Sequence, residues 1–78
     1  MRTQYTFSEL LTQTNELDNQ RVAWIDQIVH DYRALLTYNL ESKCATVKIT
    51  VQEPSDLYIH LHNAYRRGLI SGYTAEAV

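Results

Sequence analysis

The sequence predicts an α+β domain in which helix dominates: a short helix, a long amphipathic helix, one strand and a final helix. Three observations carry that expectation. From Leu17 to Leu40 the apolar residues share one arc of about 160° at the α-helical step of 100° per residue. From Cys44 to Gln52 apolar and polar residues alternate strictly, the period of a half-buried strand. After Pro54, residues Leu57, Tyr58, Leu61, Ala64, Tyr65 and Gly68 gather within about a third of a helical wheel.

Size and composition agree with a single small globular domain. The chain has 78 residues, is 45% hydrophobic and 21% charged, and holds two Gly and one Pro. That balance belongs to folded chains rather than disordered ones. A core of this size is marginal, so self-association or a partner often adds stability.

Each element has a local reason. Met1–Thr6 is short and polar and is expected to lead in or to form a brief strand. Thr6 and Glu9 have capping-box spacing, and Tyr5 with Leu10 have the spacing of a hydrophobic staple. Phe7, Leu10, Leu11 and Thr14 then share a face, which predicts a first helix over about 7–14. Between Thr12 and Gln20 the polar residues Thr, Asn and Asp compete with helical backbone bonding, so a bend is expected there, with Asn15 or Asp18 as the next cap. One unbroken helix over about 7–40 is the alternative.

The long helix is expected over about 17–40, with Trp24, Ile25, Ile28, Tyr32, Leu35 and Leu36 on its apolar arc. Glu41, Ser42 and Lys43 turn the chain. Along the strand, Ala45, Val47, Ile49 and Val51 point one way and Cys44, Thr46, Lys48, Thr50 and Gln52 the other. Ser55 or Asp56 caps a last helix over about 55–67, and Gly68 supplies its left-handed stop, with Leu69 folding back on Ala64. A competing template makes Leu57, Ile59 and Leu61 a second strand. Leu69, Ile70 and Tyr73 are expected to pack down before a fraying end. The strand's partner is expected to be residues 2–6, residues 57–62 if the competing strand template holds there, or the same strand of a second copy of the chain.

Composition narrows the function classes. A net charge of −2 lacks the basic surplus from which nucleic-acid binders draw affinity. The single Cys44 forms no internal disulfide. No signal-like or membrane-spanning run is present, so a soluble cytoplasmic protein without membrane partners is expected.

No pattern in the chain demands a reaction, and no catalytic residue, metal ligand or cofactor is assigned. His60 and His62 would share a face on a strand, the arrangement of a metal pair; on a helix they point about 200° apart. Cys44 has no evident activating base. Tyr32, Tyr58 and Tyr65 are expected in the core with their hydroxyls at its margin. The outer face of the last helix is the candidate contact surface: Ile59, His62, Asn63, Arg66 and Arg67, with His60 at its margin. An exposed Ile between arginines and an amide has the make-up of a binding patch.

The leading expectation is therefore a small regulatory interaction protein, an adaptor or inhibitor that binds another protein and forms a homodimer. A nucleic-acid-binding dimer presenting Lys43, Lys48, Arg66 and Arg67 as one stripe is the alternative, and a small metal- or cysteine-dependent enzyme the third.

Overall fold

The computed structural model describes residues 1–11 and 16–78. The order is β1 (Arg2–Leu10), α1 (Glu16–Tyr32), β2 (Leu35–Asn39), β3 (Cys44–Gln52), α2 (Leu57–Arg66) and β4 (Thr74–Ala77). The class is α+β, but 36% of the described residues are helical and 36% lie in strands, so helix does not dominate. The four strands form one sheet in the order β2-β3-β1-β4, with every neighbouring pair antiparallel. β1 and β2 therefore run the same way with β3 inserted between them, the split βαβ arrangement.

The first correction concerns β1. The brief strand expected as one alternative for Met1–Thr6 is present and pairs with β3, but it runs on to Leu10 in place of the helix expected from residue 7, because Thr3, Tyr5 and Phe7 alternate into the core at 8%, 6% and 3% exposure. It pairs along its whole length with β3, from Arg2 opposite Gln52 to Leu10 opposite Cys44. Glu9 does not close a capping box; its carboxylate accepts the Ser71 N–H. Leu10, expected on a buried helical face, is 58% exposed on the sheet. With β1 a strand and α1 starting at Glu16, the unbroken helix over 7–40 is excluded. The expected bend and the Asn15 cap fall partly on 12–15, outside the described residues. Asp18 lies inside α1 rather than at its cap.

The second correction is the end of the long helix. It stops at Tyr32, and Arg33 takes φ of 51°. The Ala34 N–H then reaches back to the Val29 carbonyl at 3.0 Å, the six-to-one bond of a Schellman stop. Glycine usually fills that left-handed position, so an arginine there hides the helix end from sequence. Leu35, Leu36 and Leu40, assigned to the helical arc, leave the helix; the first two form β2 with Tyr38. The turn into β3 is held by Asn39, whose Oδ1 accepts from the Glu41 and Ser42 N–H groups at 2.9 and 3.1 Å.

β3 matches its predicted span and its two faces. Ala45, Val47 and Ile49 are buried and Val51 is partly so. It needs no second copy, because β1 fills one edge and β2 the other. α2 also matches in kind, with bounds inside those expected. The Ser55 hydroxyl accepts the Leu57 N–H at 3.1 Å, Gly68 turns at φ of 80°, and the Leu69 N–H bonds the Ala64 carbonyl at 2.9 Å. Leu69 and Ile70 are buried and Tyr73 packs against the core. The end expected to fray is instead β4, which pairs with the free edge of β1 from Thr3 opposite Ala77 to Thr6 opposite Thr74.

Both helices cover one face of the sheet. Ile25 and Ile28 of α1 and Leu57, Leu61 and Ala64 of α2 join Tyr5, Phe7, Val47 and Ile49 in one core, with the Phe7 and Trp24 rings 5.5 Å apart. The other face is open, and polar at its centre, where Gln4, Thr6 and Ser8 of β1 lie beside Thr46, Lys48 and Thr50 of β3. No helix is long and apolar enough to cross a membrane among the described residues.

Candidate functional site

α2 is a short helix held rigidly on its inner side. Leu57, Leu61 and Ala64 are at most 1% exposed, which fixes where every other side chain of the helix points. All five residues singled out from sequence are exposed, Ile59 by 46%. They do not share one face. At the helical step, Tyr65, Tyr58, His62, Arg66 and Ile59 occupy an arc of about 120° on the outside. Asn63 and Arg67 fall on the flank nearer α1.

Two members of that outer arc were misplaced by the sequence reading. Tyr58 and Tyr65, expected in the core, are 52% and 50% exposed. Their spacing sets them about 90° from the buried stripe, a boundary position that packing alone decides. The His62 and Tyr65 rings lie 6.4 Å apart. Together with Ser71, Gly72 and Tyr73 they border a shallow cavity of about 320 Å³. The outer arc thus joins three large half-exposed apolar side chains to an arginine, the side-chain types enriched where binding energy concentrates.

The opposite flank of α2 faces α1 across an open groove of about 610 Å³, where Trp24, Ile28 and Tyr32 meet Asp56, His60 and Arg67. The Tyr32 hydroxyl donates to Asp56 Oδ1 at 2.8 Å, and His60 Nε2 lies 3.4 Å from Asp56 Oδ2. The hydrogen bond from Tyr32 holds the Asp56 carboxyl below its usual range, helped by His60. Burial, with the bond to Asp56 and its charge, pushes the Tyr32 phenol up to about 12. At neutral pH the pair is therefore a fixed donor on a fixed carboxylate, a clamp between the helices. Further along α1, Gln27 donates to Asp31 at 2.9 Å, and that bond with the nearby His30 lowers the Asp31 carboxyl.

The clamp has a measurable signature. Subtracting the alkaline absorbance titration of Tyr32→Phe from that of the wild-type protein should leave one tyrosinate with a midpoint near 12. The raised pKa means the folded state holds this proton more tightly, so its contribution to stability is complete below pH 10 and is lost as pH climbs toward 12. A difference midpoint at the ordinary 10 would show that the bond to Asp56 does not form.

The other candidates separate. His60 faces the α1 groove and His62 borders the outer cavity, because both ride on a helix. Among the described residues no three His, Cys, Asp or Glu side chains gather as a metal-holding group. Cys44 is half-buried at the start of β3, opposite Leu10 and Asn39. The stripe of Lys43, Lys48, Arg66 and Arg67 breaks up within one chain: Lys48 lies on the open sheet face and Arg66 and Arg67 in the helical layer behind it. Four-stranded sheets that read RNA stack bases on aromatic side chains of an exposed face. Here β1 and β3 place threonine, serine, glutamine and lysine at those central positions.

A second group missed by sequence lies at the far end of α1. Arg21 Nη1 pairs with Asp18 Oδ1 at 2.5 Å, both side chains largely buried. Its Nε donates to the Leu69 carbonyl at 2.6 Å, tying α1 to the turn that leaves α2. The signal was present: Asp18, Arg21, Ile25, Ile28 and Tyr32 share a stripe of about 80° on the wheel, so both charges sit on the buried side.

No protein-family model matches the chain, and no curated protein or solved structure matches it either.

Proposed function

We propose that this chain is a small non-catalytic adaptor or inhibitor of the cytoplasm that binds another protein and works as a homodimer. The observation that carries the reading is the outer arc of α2, where Tyr58, Ile59 and Tyr65 stand half exposed beside Arg66. A helix anchored by three fully buried residues presents these side chains at little further cost in backbone order. Tyrosine adds contact area with few rotatable bonds, and arginine offers several directed donors to a carboxylate or carbonyl.

The contact surface is accordingly Tyr58, Ile59, His62, Tyr65 and Arg66, with Asn63 and Arg67 at its edge. Affinity capture from the native cell, with partners identified by mass spectrometry, tests it. Tyr65→Ala combined with Arg66→Glu should weaken capture at least about thirtyfold, the equivalent of one binding hot spot, and leave the circular-dichroism spectrum unchanged. Lys48→Glu, on the open sheet face, should leave capture intact. Equal capture by wild type and the α2 variant would remove the surface from the reading.

A further inference from the structure

We infer that two copies of this chain join through β2, pairing antiparallel about a two-fold axis at Thr37 to make one continuous eight-stranded sheet. The inference rests on the homodimer reading above and gives it a surface and a register.

Among the described residues the sheet has two free edges, and they differ. β4 is four residues long, TAEA, with Glu76 on its exposed rim. β2 is Leu-Leu-Thr-Tyr-Asn, with no charge and no proline, and all five residues are exposed. Leu35 is 64% exposed, Leu36 41%, Tyr38 43% and the adjoining Leu40 81%. Edge strands of stable monomers are ordinarily blunted by lysine, proline, a bulge or a covering segment. Among the described residues β2 carries none of these devices, and it presents large apolar side chains on both faces of the sheet.

Symmetry and charge select the occupant. In an antiparallel pair, opposite residues point to the same face, so a two-fold axis between identical strands must pass beside a residue rather than between two. Centring on Thr37 sets Leu36 of one copy against Tyr38 of the other, Leu35 against Asn39 and Ala34 against Leu40, each pair made twice. Just beyond the ladder it brings Arg33 in line with Glu41 of the other copy, opposite charges at both ends. Centring on Leu36 sets Ala34 against Tyr38 and moves Arg33 beside Asn39. Centring on Tyr38 sets Leu35 against Glu41, a carboxylate facing a leucine. Only the Thr37 register among these matches apolar with apolar and cation with anion. It also keeps the helices of both copies on one side of the extended sheet.

Light scattering of the wild-type protein, followed by disulfide trapping in a Cys44→Ser background, tests this. The expected mass is twice the 9.1 kDa of one chain. Thr37→Cys should crosslink two copies on mild oxidation, since directly opposed strand residues have Cα atoms about 4.5–5.5 Å apart, within disulfide range. Leu35→Cys should not, because its counterpart lies four positions away, about 13 Å along the strand. Leu36→Lys should return the mass to that of one chain with the circular-dichroism spectrum kept. A single-chain mass for wild type at every concentration overturns the homodimer reading and the inference with it. A doubled mass that survives Leu36→Lys, without Thr37→Cys crosslinking, keeps the homodimer and overturns the β2 surface. Equal crosslinking at positions 35 and 37 overturns the register.

Discussion

Leu61→Ala is expected to destabilise the fold by about 3 kcal/mol, because it empties a site at the centre of the core. Leu61 is fully buried and belongs to the one core that also holds Leu57, Ala64, Val47, Ile49 and Ile28. A chain of this size has few other apolar residues to close the gap, and marginal domains hold only about 5–15 kcal/mol in all. The melting temperature should fall by roughly 15 °C, given about 4–8 °C per kcal/mol at this length. Leu10→Thr is the matching control. Leu10 would be a core residue if residues 7–14 formed a helix, but it stands 58% exposed on the open face of β1. Its replacement by a residue that suits strands should change stability by no more than about 0.5 kcal/mol. Thermal melts of both variants by circular dichroism decide the matter. A large loss in Leu10→Thr would contradict the strand at β1.

Arg21→Met should cost about as much, roughly 3 kcal/mol, by another route. The methionine keeps most of the volume and the apolar stem, so the loss isolates the guanidinium. That group pairs with the largely buried Asp18 and donates to the Leu69 carbonyl, so its removal takes the cation from a carboxylate already withdrawn from water. Desolvation makes such a loss several times larger than the loss of a surface ion pair. The urea midpoint of Arg21→Met, with an unchanged slope, measures it. The double variant Asp18→Leu with Arg21→Met should recover much of the stability, because replacing both partners of a buried pair with apolar groups is often neutral. If Arg21→Met unfolds no earlier than wild type, the link between α1 and the turn after α2 contributes nothing.

These two sites mark where sequence is informative and where it is not. β3 and α2 were legible because each buries one face and exposes the other, which leaves periods of two and 3.6 in the residues. α2 also carries its own stop in Gly68. The second half of β1 carries a helix signal because Thr6 and Glu9 happen to be three apart; the three buried residues, Thr3, Tyr5 and Phe7, give a strand signal long enough only for the brief strand expected at Met1–Thr6. β2 was absorbed into α1 because both its faces are exposed, so it has no alternation, and because Arg33 rather than glycine takes the left-handed turn. β4 has small side chains and no buried residue at all. Its existence depends on the backbone edge that β1 offers.

The candidate surface divides the same way. Exposure of Ile59, His62, Asn63, Arg66 and Arg67 followed from the wheel of α2 alone. Tyr58 and Tyr65 lie at the margin of the buried stripe, and only the neighbouring elements decide which side of that margin is wet. By itself, then, the sequence determined an α+β class, the span of the central strand and the amphipathic helix that follows it, all through local periodicity. Tertiary structure alone decided β2, β4 and the continuation of β1 past Thr6, the sheet order and which aromatic side chains face outward. Backbone pairing and the shape of the covered face set those features, and neither leaves a mark on residue spacing.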